Sequence, residues 1–69
     1  MILVFKTNCN EAIENIIIPI ISECSEVNNV NFDFEDCDKI LRVDVTEYIA
    51  ERISSLVKNA GYNCEELYG

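Results

Sequence analysis

Histidine is absent from the 69 residues of this chain. Without imidazole, a serine or cysteine nucleophile has no customary base beside it. Glycine occurs only twice, so no glycine-rich loop exists to cradle a phosphate. Paired carboxylates fall only on strands read as exposed, without the burial that tunes an acid and a base apart. An enzyme is therefore not expected. Cations are scarce too: five Lys and Arg stand against thirteen Asp and Glu, a net charge of −8. Nucleic-acid binding needs a basic face to displace counterions, and anionic membranes would repel this charge. Long apolar runs are also missing. Ile16-Ile17-Ile18-Pro19-Ile20-Ile21 falls far short of the ~20 residues of a membrane span, and Met1-Ile2-Leu3-Val4-Phe5 is too short for the apolar stretch of a secretion signal. The expectation is a soluble, cytoplasmic protein that binds neither nucleic acid nor membrane.

What is present suffices for one domain spanning residues 1–69. Hydrophobic residues make up 49% of the chain, enough for a packed core. A domain of about 60 residues buries only ~60% of its unfolded surface, so that core leaves little stability to spare. Four cysteines could form two disulfides in three connectivities, but with no secretion signal free thiols are expected. The acidic surface fits a basic partner, or simple solvation.

The chain is organised around the junction Phe5-Lys6-Thr7-Asn8-Cys9-Asn10-Glu11-Ala12. The apolar run before it reads as a strand. After it, Ile13, Ile16, Ile17 and Ile20 recur at helical spacing and predict a helix over residues 10–24, capped by Asn8 or Asn10. Pro19 inside this helix cannot donate to the Asn15 carbonyl, which predicts a kink. Residues 30–35 alternate strictly, with Val30, Phe32 and Phe34 inward. Asp36-Cys37-Asp38 turns the chain, and residues 39–45 alternate again with Leu41, Val43 and Val45 inward, completing a hairpin. Thr46 reads as the cap of a second helix with Ile49, Ile53, Leu56, Val57 and Ala60 along one stripe. Gly61 ends that helix, and residues 62–67 form a closing strand. Strand, helix, strand, strand, helix, strand is the α+β ferredoxin-like βαββαβ order. It predicts a four-stranded antiparallel sheet ordered 4-1-3-2 with both helices on one face. This topology gathers Cys9, Cys37 and, deeper, Cys64 at one end, and leaves Cys24 at the other. On the helix-free face it places Ile2, Val4 and Ile40 beside Asn31, Asp33 and Arg42.

The Cys9 loop between strand and helix, the hairpin of residues 30–45 and the ending Asn59-Ala60-Gly61-Tyr62 carry a family resemblance. The chain resembles the heavy-metal-associated domains, copper-chaperone-like modules of the ferredoxin-like fold, over nearly its whole length. The stretch Asp33-Phe34-Glu35-Asp36-Cys37-Asp38-Lys39-Ile40-Leu41-Arg42-Val43 looks like a bacterial branch of that family. The resemblance implies binding of Cu(I) or another soft metal and a metal-transporting ATPase or other protein as partner. The family's loop is Met-x-Cys-x-x-Cys, whose two thiolates make a linear soft site. Here Thr7 stands at the Met, Cys9 at the first Cys and Ala12 at the second. Cys9 is thus the metal residue the resemblance assigns. A second ligand would come from another chain or a partner, with possible assistance from Cys37 or Cys64.

The cysteines also have plainer readings. Cys9 is either a thiol poised at a helix N-terminus, where amides and the helix dipole favour thiolate, or a semi-buried residue of a decayed motif. Cys37, between Asp36 and Asp38, reads as an incidental exposed thiol, Cys64 as a small residue lining the core, and Cys24 as core. Two functions follow. One is a chaperone-like soft-metal domain with a degenerate single-cysteine site. The other is a metal-free protein–protein interaction module that keeps the fold, with a weak homodimer through the open sheet face as one form of it.

Overall fold

The computed structural model describes residues 1–34 and 39–67, and six elements lie within them. They are β1 (Ile2–Thr7), α1 (Glu11–Ser22), β2 (Val27–Asp33), β3 (Lys39–Val45), α2 (Ala50–Asn59) and β4 (Cys64–Glu66). The expected turn at Asp36-Cys37-Asp38, and with it Cys37, lies outside the described residues. One four-stranded sheet runs β2-β3-β1-β4, the predicted 4-1-3-2 order read from the other edge. Each neighbouring pair is antiparallel. This is the ferredoxin-like arrangement.

Alternation places the core. Leu3 lies opposite Val43, Phe5 opposite Leu41 and Thr7 opposite Cys64, and all six side chains are buried on the face the helices cover. From that side α1 packs against β2, α2 packs against β4, and the two helices touch. Ile17 and Ile21 of α1 meet Ile53 and Val57 of α2 in the same cluster.

Two local features depart from expectation. The α1 stripe is rotated: Ile17 and Ile21 are fully buried and Ile13 and Ile18 pack beside them, while Ile16 is 52% exposed. Isoleucines nearly all around this helix leave its phase open in sequence, and the sheet selects the row at i, i+4 and i+8. Helix α1 contains Pro19, as expected. The second strand begins at Val27, three residues before Val30, and its register shifts between Val27 and Asn29. That bulge inserts one residue, so Val27 faces Val45 and Val30 faces Val43 on the same side of the sheet.

Thr46 does not cap α2. Its amide and hydroxyl both donate to the Glu26 carbonyl, at 2.8 and 3.4 Å, tying the end of β3 to the start of β2. Ile49 takes the N-cap position without a side-chain capping bond and is itself buried. Burial of an apolar side chain has displaced a capping hydroxyl. Arg52, in the first turn of α2, donates to Glu26 at 2.8 Å and holds that carboxyl below its usual range, helped by the Glu26 amide and Ser25. At the far end Gly61 takes φ 99°, the left-handed conformation that ends a helix at low steric cost for glycine alone.

The rotated stripe has a measurable consequence. Ile21→Ala should destabilise the fold by about 2–5 kcal/mol, as for a large-to-small change in a core. Ile16→Ala should lie within ~0.5 kcal/mol of the parent, as for a surface site. Urea unfolding of the two variants measures both; equal losses would place Ile16 in the core.

Candidate functional site

The predicted site residue Cys9 lies in the loop between β1 and α1, and the loop's hydrogen bonds turn it inward. The Thr7 hydroxyl donates to the Lys39 carbonyl at 2.9 Å and accepts from the Cys9 amide at 3.2 Å. Asn8 uses its side-chain oxygen to accept from the Asn63 amide at 2.8 Å, so it binds the approach to β4 and does not cap α1. Asn10 occupies the N-cap position with extended backbone and no side-chain capping bond. The result is a Cys9 that is 0% exposed, set among the core residues.

Burial reverses the expected chemistry of this thiol. Desolvation pushes Cys9 above its ordinary pKa, outweighing the Thr7 hydroxyl and Lys39, which pull it down. Charge taken out of water costs more than nearby dipoles return. The helix N-terminus does not produce a poised thiolate.

Cys64 belongs to the same end. It sits directly across from Thr7 and is buried in the cluster that contains Cys9. Desolvation raises its thiol also, opposed by a Ser54 hydrogen bond, reinforced by the proximity of Cys9 and opposed again by Lys58. The two sulfurs are therefore electrostatic neighbours. Cys24, half-buried after the end of α1, lies beside Arg52 of α2, away from them. The topology thus joins Cys9 with Cys64 and separates Cys24, as expected, whereas Cys37 falls outside the described residues.

Ala12, the position at which the resemblance would expect a second cysteine, is exposed, while Cys9 is not. The two positions point into different media, and a loop that presents paired thiols to an incoming metal would need both at the surface. No group of three or more Cys, Asp or Glu side chains is arranged to hold a metal among the described residues. A shallow cleft of about 460 Å³ lies against Cys64 and is lined also by Lys58, Asn8 and Asn63.

The opposite face of the sheet carries no helix. Ile2 is 58% exposed and Leu67 39%, with half-buried Val4 between them, while half-buried Ile40 lies on β3 across from Lys6. Leu67 donates its amide to the Val4 carbonyl, which sets the two side by side. Arg42, directly across from Val4, pairs with Asp33 at 3.1 Å, and Asp44, directly across from Ile2, lies 3.6 Å from the N-terminal amine. Sequence reasoning placed Ile2, Val4 and Ile40 on this face and missed Leu67. That residue lies one position beyond the three-residue β4, and its alternation becomes visible only once the register with Val4 is known.

No family model, no curated protein and no solved structure matches the chain. No helix among the described residues is long and apolar enough to cross a membrane.

Two solution measurements follow from the buried thiols. Cys24 should react with a maleimide before Cys9 or Cys64; fast modification of Cys9 in the folded protein would show that its loop opens. The second measurement is pH dependence. Both raised thiols contribute stability that is fully present below the ordinary thiol range. Above it the unfolded chain ionises first, so stability falls until the raised folded values are reached. The urea midpoint should therefore decline as pH rises through the ordinary thiol range, and less steeply in a Cys9→Ala/Cys64→Ala variant. A parent and a variant with the same slope would contradict the assignment.

Proposed function

We propose that this chain is a metal-free protein-interaction module that keeps a ferredoxin-like fold and docks a basic partner on the helix-free face of its sheet. The observation that carries this reading is the apolar group of Ile2, Val4 and Leu67, with Ile40 diagonal to Val4, left uncovered by either helix and set among Lys6, Arg42 and Asp44. Exposed apolar patches rimmed by charge are features of association surfaces. The partner's chemistry is argued from charge. A protein of net −8 attracts basic surfaces over long range and repels its own copies, which favours a cationic partner over a homodimer. The buried Cys9, with Ala12 on the surface beside it, supports the same reading, since among the described residues no exposed thiol pair is left for metal transfer.

A second reading keeps the soft-metal function suggested by the heavy-metal-associated resemblance. It is favoured by one observation, the neighbouring Cys9 and Cys64 sulfurs, since two thiolates are enough for a linear Cu(I) site. In that reading a metal-transporting ATPase would be the partner.

Two experiments separate the readings. In the first, the reduced parent and Cys9→Ala compete with a chromogenic chelator for Cu(I). Equal retention is expected, and tighter binding by the parent, on the order of tenfold or more (1.4 kcal/mol), would replace the first reading with the second. In the second experiment a photo-cross-linking residue is placed at Ile40 and, separately, at Ser55 on the outer side of α2. Adducts with basic proteins are expected from position 40 alone and should be lost in Val4→Glu. Adducts from both positions, or only between copies of this chain, would overturn the docking proposal.

A further inference from the structure

We propose that Cys9 and Cys64 are an oxidisable pair, converted by a hydroperoxide into a disulfide that staples the β1–α1 loop to β4. This inference is independent of the docking surface and concerns the opposite side of the sheet.

Backbone geometry brings the pair together. Thr7 and Cys64 are directly opposed across the β1–β4 ladder, where antiparallel Cα atoms are about 4.5–5.5 Å apart. One residue further along each chain direction, the Asn63 amide is bonded to the Asn8 side chain at 2.8 Å, so the two segments stay joined beyond the last rung. Cys9 follows two residues after Thr7, and its amide is bonded back to the Thr7 hydroxyl, which directs its side chain into the core where Cys64 lies. A disulfide requires Cα atoms within about 4.4–6.8 Å, and with the segments held at the Thr7–Cys64 rung and the Asn8–Asn63 bond only the gap left by two residues has to close. Cys24 has no such route, because it belongs to the end of the molecule where Arg52 and Glu26 meet.

Access is one-sided. The cleft that reaches Cys64 carries Lys58, whose ammonium favours the Cys64 thiolate, whereas Cys9 is closed off. Oxidation therefore begins at Cys64. Its thiol loses a proton to water, and the thiolate attacks one oxygen of the hydroperoxide. The O–O bond breaks, the alcohol departs after taking up a proton, and Cys64 is left as a sulfenic acid. The Cys9 sulfur then attacks the Cys64 sulfur and gives up its proton, and the displaced hydroxide leaves as water. Two thiols and one hydroperoxide yield one disulfide, one alcohol and one water, so the peroxide gains the two electrons that the sulfur pair loses. Since both thiols are protonated at neutral pH, the rate should rise as pH rises.

The test uses the full chain with hydrogen peroxide as the hydroperoxide, followed by alkylation and peptide mapping. A Cys24→Ser/Cys37→Ser variant, which retains only the proposed pair, is treated in parallel. Expected are a cross-linked Cys9–Cys64 peptide in both proteins, faster formation toward alkaline pH, and a melting temperature higher by roughly 10 °C or more than that of the reduced form, because the bridge closes a long loop. Any of three results would overturn the proposal: Cys64 proceeding to sulfinic acid while Cys9 stays free, linkage only between chains, or a parent disulfide that instead includes Cys24 or Cys37.

Discussion

The Thr7 hydroxyl sets the character of one end of this molecule. It donates to the Lys39 carbonyl at the start of β3 and accepts from the Cys9 amide as the chain leaves β1. The Cys9 amide would otherwise be a backbone donor near the core without a bond, at a cost of about 1–3 kcal/mol. A single buried hydroxyl therefore joins two strands and fixes the path into α1. Everything distinctive about Cys9 follows from that path: the inward side chain, the loss of solvent and the raised thiol. Asn8 completes the closure by binding the residue before Cys64. Among the described residues, no buried side-chain nitrogen or oxygen lacks a partner, in keeping with so dry an end.

The sheet was legible because its signal is binary. In β1 and β3 each alternate residue is apolar, and a slip of one position would bury Arg42 and expose Leu41, so register and strand order follow from pattern and connection rules. The phase of α1 was not legible. A helix with isoleucine at 13, 16, 17, 18, 20 and 21 offers several apolar rows, and only contact with β2 selects among them. Thr46 and Asn8 failed as caps for a common reason: local propensity assigns a polar side chain to the nearest helix, but tertiary contacts gave both to other strands. The bulge at Val27 left no signal beyond a valine out of step with Val30.

The candidate site was half legible. Topology alone brought Cys9 and Cys64 to one end and sent Cys24 to the other. Whether Cys9 faces water or core turned on Thr7, whose hydroxyl binds the Cys9 amide and draws the loop inward. The molecule has a closed end that holds Cys9 and Cys64 and a helix-free sheet face that carries exposed Ile2 and Leu67.

That division depends most directly on the closure at Cys9, and amide hydrogen exchange at that residue measures it. The account predicts a Cys9 amide protected nearly as well as those of Phe5 and Leu41, and a selective loss of this protection in Thr7→Val, which keeps the side-chain shape and removes the acceptor. A Cys9 amide that exchanges in the parent as fast as an open loop, or one unaffected by Thr7→Val, would contradict it.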